Sequence, residues 1–371
     1  MNKGNFSYFD TQLSRLGINW QELPINRPVC PVLNNNRDGQ GRHTITRGTI
    51  NYWPNRLGAQ PPAKLEEGGY FEYPEKIAGI KTRMRSKKFR DHFSQAQLFF
   101  NSMTPIERLH ITNALSFELD HCDDPIVYER MCQRLGEIDL GLAQQVAEMV
   151  GAPIPKETTR PNHGKKAKGL SQFDFLPEKP TIATRRIAIL LADGYDVVSY
   201  GAVRAAISAA QAIPFVIAPK RGPIYAAGED KKSSKGLVPD HHLEGMRSTM
   251  FDSLYIPGGA ESVATLRKNG RALHWVREAF GHLKAIGATG EGVALVSDAC
   301  GGLPSLSLSQ STDVVESYGV VTASKVQPES LKETVQIIKG AKEFLGVYFY
   351  AISLHRNFDR ELDGLSAMVA Y

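Results

Sequence analysis

Near the amino end, two residues have types and spacing that could do chemistry: Tyr8 and Arg15, within the stretch FSYFDTQLSRLG from Phe6 to Gly17. They stand seven residues apart, about two helical turns, so a helix here puts a phenol and a guanidinium on one face. A phenolate is an oxygen donor for a metal ion, and a guanidinium pairs with carboxylates. Together they suit a metal cofactor that carries its own carboxylates. Asp10, Thr11 and Ser14 are able to cap backbone amides, and Leu13 and Leu16 share a face. An ordinary amphipathic turn with a surface tyrosine has the same spacing.

The elements around this pair change character along the chain. From Trp20 to Pro74 there is no regular period; prolines recur beside NNN, RDGQG and GG. Such a stretch is no free-standing core. Its aromatic residues Tyr52, Trp53, Tyr70, Phe71 and Tyr73 favour an extended arm over a disordered tail. Residues 91–151 read as helices, with a Thr104–Pro105 start and an Asp124–Pro125 start. His110, His121, Cys122, Asp123 and Asp124 invite a metal site, but a core histidine and capping carboxylates explain them better. Residues 153–180, rich in Pro, Lys and Gly, form a linker.

From Arg186 apolar strands alternate with helices: IAILLAD, a helix over 197–212, PFVIAP, SLYIPGG, a helix over 266–280, LKAIGATG, a helix over 292–299, VVESYGVVTA, and closing helices over 335–344 and 355–368. That alternation predicts a mostly parallel sheet covered on both faces. The expected domains are 1–75, 76–152, a linker at 153–183, and 184–371. The fold class is a multidomain α+β and α/β chain, ending in a flavodoxin-like doubly wound parallel sheet. Gly258, Gly259, Gly287 and Gly290 leave backbone amides near helix starts, which suits a small anion; tight turns account for them more simply.

Composition narrows the function classes. The net charge of +5 over 371 residues is small, with acids interspersed, and the basic run KTRMRSKKFR at 81–90 has no nucleic-acid motif beside it, so it reads as a solvated helix start. Cys30, Cys122, Cys132 and Cys300 lack zinc-ligand spacing and read as free thiols of a reducing compartment. No stretch reaches membrane-spanning length and residues 1–10 lack a signal-peptide core, so the expectation is a cytoplasmic chain, upstream residues aside.

FSYFDTQLSRLG, followed by NRPVCPVLNNNR at 26–37 and RDG at 37–39, resembles haem catalases just after their proximal tyrosine. By this resemblance Tyr8 is the axial ligand of haem iron and Arg15 the partner of a haem propionate. The family's arginine four residues before that tyrosine is Gly4 here. The resemblance implies decomposition of hydrogen peroxide, a homotetramer, and an arm that threads between subunits. The distal histidine and asparagine of the family lie in a β-barrel that these residues do not include, so this polypeptide alone is expected to be inactive.

YIPGG at 255–259 and AIGATGEG at 285–292 make the last domain resemble the class I glutamine amidotransferase-like group that includes the DJ-1/PfpI proteins. Large-subunit haem catalases carry such a domain at the carboxyl end. In active members a cysteine sits on the elbow after the strand, with an acid from the first strand's loop beside it. Here the elbow is expected at Thr289 and the acid's place near Gly194, so that chemistry is expected to be lost. A threonine-dependent hydrolase stays open, as does an ATP-independent holdase acting through apolar surface of this domain.

Overall fold

The computed structural model describes residues 2–27, 29, 66, 74, 76, 84–311, 313–326 and 337–370. Most of the expected arm, with Cys30 and the five aromatic anchors, lies outside the described residues. The chain divides into two compact units, Met1–Arg85 and Ser86–Tyr371.

In the first unit, α1 runs from Asn2 to Leu16. Gly17, at φ +95°, ends it in the left-handed region that glycine adopts without steric cost. A single 3₁₀ turn, Trp20–Glu22, follows.

The second unit opens with a short exposed helix, α2 (Lys87–Arg90), and a helical bundle: α3 (Ser94–Ser102), α4 (Pro105–Asp120), α5 (Pro125–Gly136) and α6 (Leu140–Val150). The starts of α4, α5 and α6 are written locally. Thr104 and Glu107 form a reciprocal capping box with Pro105 at the first turn, and the Asp124 and Asp139 side chains accept amides of α5 and α6. Gly151, at φ +71°, closes α6. Leu142, Ala143, Val146 and Ala147 of α6 are buried against Phe100, Leu119, Cys132 and Leu135.

The expected linker is strapped to this bundle rather than loose. Asn162 and Asn101 exchange side-chain amide bonds of 2.7 and 2.9 Å. His163 Nε2 lies 2.9 Å from Ser94 O. The Ser171 hydroxyl and Gln172 N–H donate to Glu107.

The remaining elements are β1 (Arg186–Leu190), α7 (Val197–Ala209), β2 (Ile213–Ala218), β3 (His241–His242), β4 (Ser253–Ile256), α8 (Ala260–Arg267), α9 (Gly270–Gly281), β5 (Ala285–Thr289), α10 (Gly292–Cys300), β6 (Val315–Ser317), β7 (Val320–Ala323), α11 (Phe344–Ser353) and α12 (Asp359–Leu362). Among the described residues the strands form one sheet in the order β3-β2-β1-β4-β5-β7-β6, parallel except for the β6–β7 hairpin. Strand alternation divides the core in two. Ile187 and Ile189 pack with α7 and α11, whereas Ala188 and Leu190 pack with α8, α9 and α10.

Three expected helices come out differently. The helix over 266–280 is two, broken where Asn269 turns its side chain to cap Arg271 and Ala272. The closing helix does not occupy the described part of 335–344; it begins at Phe344. The segment 355–368 holds only α12 and a 3₁₀ turn at Ser366–Met368, because His355 takes φ +64° and ends α11's direction. No helix among the described residues is long and apolar enough to cross a membrane.

Candidate functional site

Tyr8 projects from α1 with 72% of its surface exposed, and Arg15 is exposed on the same helix. At about 100° per residue the two side chains leave the helix within about 20° of each other. The phenol stands exposed and the guanidinium two turns away, so the donor set fits haem: one phenol oxygen that could bind ferric iron and one cation for a carboxylate on the ring. Ser14 Oγ donates to Asp10 O at 2.6 Å, so this serine satisfies its own helix and adds nothing to that face.

The second place to look is the carboxyl ends of β1, β4 and β5, where the sheet order reverses direction and open α/β folds put ligands. Thr289 is 1% exposed and ends β5. Its hydroxyl lies 2.8 Å from the Tyr255 hydroxyl. Burial pushes the Tyr255 phenol up, against the opposing bonds from Thr289 and Ser199, so the phenol stays protonated and is no base. Gly290, at φ +55°, directly follows Thr289 and joins β5 to α10. Thr289 is therefore a buried strand residue and not the exposed apex of the elbow.

The first-loop position is equally closed to an acid. Gly194 has φ +81°, and a Cβ there would lie 2.5 Å from Glu261 Cβ. The neighbouring carboxylates are engaged. Asp193 meets Lys220 Nζ at 2.6 Å and the Tyr225 N–H at 3.0 Å. Burial works to raise the Asp193 carboxyl, but the Lys220 ammonium and the Tyr225 amide outweigh it and hold it below the usual carboxylate range. Asp196 caps α7 through the amides of Val198 and Ser199.

The four glycines follow the turn and packing reading. Gly259 N–H donates to Glu291 Oε2 at 2.9 Å, so the chain's own carboxylate takes that amide. Gly290 N–H donates to Ala323 O, and Gly258 O accepts from Asp196 N–H. Gly287 sits inside β5 with the Tyr348 ring 2.8 Å from where a Cβ would stand.

The residues that suggested a metal are spread over separate tasks. His110 Nε2 pairs with Glu361 Oε2 at 2.7 Å, His121 Nδ1 meets Phe117 O at 2.8 Å, and the Tyr128 hydroxyl donates to Cys122 O. Two buried charges had no sequence signal as strong as their environment: Lys284, 2% exposed, and Arg360, completely buried.

Three family descriptions match successive segments. "Catalase" matches residues 1–59, "Catalase-related immune-responsive" residues 86–150, and "C-terminal domain found in long catalases" residues 183–344. The kinship is with catalases. The chain is 64% identical to Catalase-1 of Neurospora crassa over 367 residues, covering 99% of this chain and 49% of that protein. It is 61% identical to Catalase A of Aspergillus fumigatus, covering 99% of this chain and 50% of that protein. Catalase HPII of Mycobacterium avium is more distant, 37% identical over 98% of this chain and 49% of its own length. The chain spans about half the length of these catalases. Tyr8 and Arg15 fall inside the segment matched as "Catalase", and the β1–β7 sheet inside the segment matched as the domain of long catalases.

Proposed function

We propose that this chain serves the decomposition of hydrogen peroxide to water and oxygen as part of a haem catalase. The observation that carries the reading is the exposed phenol of Tyr8, with Arg15 on the same helical face, inside the catalase-matched segment. Haem, when bound, supplies the redox-active iron. Tyr8 would hold the iron through its phenol oxygen, and Arg15 would pair with a propionate. The assembly is a homotetramer, as the family resemblance implies.

The carboxyl-terminal domain is, in this reading, a flavodoxin-like, amidotransferase-like domain without hydrolytic chemistry. The burial of Thr289 against a protonated phenol and the closed first-loop position at Gly194 support the second half of that statement. A polypeptide of residues 1–371 by itself is expected to turn over little peroxide, because Tyr8 and Arg15, given to the iron and a propionate, would leave proton transfer to other groups. Oxygen evolution from hydrogen peroxide, with haemin added to this polypeptide, tests this. A rate at the level of an intact catalase overturns this expectation.

A further inference from the structure

We infer that Trp20 is a positioning residue for Tyr8, acting through Phe9; the inference rests on the reading of Tyr8 as a haem ligand. A helix of fifteen residues is marginal by itself, and the apolar residues Leu13 and Leu16 of α1 remain 44% and 49% exposed. Burial of those residues thus does little to fix how α1 is turned about its axis. What grips α1 among the described residues comes from the turn behind it. Gly17 N–H donates to Leu13 O at 3.2 Å, the last bond of the helix, and Trp20 N–H donates back to Gly17 O at 3.1 Å. Asn26 Nδ2 donates to Trp20 O at 3.0 Å and closes the loop over its own start. The Trp20 ring so placed meets Phe9 edge to face, with centroids 5.4 Å apart and planes at 82°.

Phe9 follows Tyr8 directly and points about 100° away from it around the helix. The indole therefore holds the flank of α1 and leaves the face of Tyr8, Gln12 and Arg15 open. A helix gripped on the Phe9 side cannot roll against the turn of residues 17–26 without breaking the aromatic contact, so Trp20 fixes the direction in which Tyr8 and Arg15 face relative to that turn. Loss of an aromatic pair of this geometry corresponds to about tenfold in an equilibrium constant.

The test uses the full chain titrated with ferric haemin, as wild type, Tyr8→Phe, Trp20→Leu and Trp20→Phe, with far-ultraviolet circular dichroism to follow α1. The readouts are the tyrosinate-to-iron charge-transfer band, haemin affinity and the reduction potential of the bound iron. Tyr8→Phe removes the band. Trp20→Leu weakens haemin binding about tenfold and shifts the band and the potential, and Trp20→Phe restores all three by supplying an aromatic edge. Trp20→Leu matching wild type in band and potential overturns the inference while leaving the ligand reading intact. So does Trp20→Phe failing alongside Trp20→Leu. If Trp20→Leu melts α1, the decision passes to Phe9→Leu, which removes the same contact from the helix side and must produce the same spectral shift. Indifference of the wild-type spectrum to Tyr8→Phe sinks the ligand reading itself, a pattern distinct from the others.

Discussion

Tyr255 and Thr289 join the carboxyl ends of β4 and β5 by a hydroxyl–hydroxyl hydrogen bond of 2.8 Å, closed off from solvent. Removing one partner leaves a buried hydroxyl short of a bond. Thr289→Val should cost about 1–3 kcal/mol in urea denaturation, and Thr289→Ser under about 1 kcal/mol. Because that hydroxyl faces a protonated phenol, Thr289→Ala should leave any esterase or deglycase rate of the chain unchanged.

Lys284 carries the clearest pH dependence. Its Nζ donates to Ser248 O at 2.7 Å and Phe251 O at 2.6 Å. Burial first, and then the Arg356 charge, push the ammonium down to about 8 from its ordinary 10.5. The folded pKa lies below the unfolded one, so between these values the unfolded chain holds more protons and stability rises with pH. Below about 8 the burial cost is felt in full. It is relieved as the pH climbs to 10.5, by at most about 3 kcal/mol. Lys284→Met should flatten that rise in a stability–pH series; an unchanged slope would remove the assignment.

Arg360 is a buried cation doing structural work between α9 and the β6–β7 turn. It stacks over the Phe280 ring at 4.4 Å, donates from Nη1 to Phe280 O at 3.0 Å, and bonds Tyr318 O through Nε. Arg360→Ala opens a void and strands two carbonyls, so a loss of about 3–5 kcal/mol is expected by denaturation. Arg360→Met, which keeps the stem's volume, should lose less.

Glu107 ties α4 to the strap. Oε2 accepts the Thr104 N–H at 2.8 Å and the Ser171 hydroxyl at 2.9 Å, and Oε1 accepts the Gln172 N–H at 2.9 Å. Burial works to raise this carboxyl, but the Thr104, Gln172 and Ser171 bonds outweigh it and hold it low. Its contribution is thus present above the unfolded carboxyl pKa and lost as the pH falls through the lower folded value. Glu107→Ala should cost about 1–2 kcal/mol and speed proteolytic cleavage near Ser171. Equal cleavage rates in mutant and wild type would refute the tie.

What sequence made legible was local. Thr104 before Pro105, Asp124 before Pro125 and glycine at 151 mark helix ends through bonds within a few residues, and the structure has them there. The strands IAILLAD, PFVIAP and SLYIPGG were readable because burial on both faces demands unbroken apolar runs. Tertiary demands were less readable. The two-residue edge strand His241–His242 exists only because β2 pairs with it. Nothing periodic announces that Asn269 caps a new helix in the middle of an apolar stripe. That Thr289 is shut inside the end of β5 is not readable, because the glycine at 290 says a bend is permitted without saying how its neighbour is buried. Arg360 and Lys284 were missed because arginine and lysine are ordinarily exposed, and their partners are backbone carbonyls, which every sequence has. Tyr8 and Arg15 share a face as their spacing indicates; resemblance, not spacing, attached them to haem.

The most direct test of the whole reading is resonance Raman spectroscopy of the ferric haem complex of this chain, comparing wild type with Tyr8→Phe. Iron–tyrosinate modes in the wild type that vanish in the mutant are the predicted result. A haem complex lacking those modes, or one whose spectrum is the same in both proteins, would contradict it.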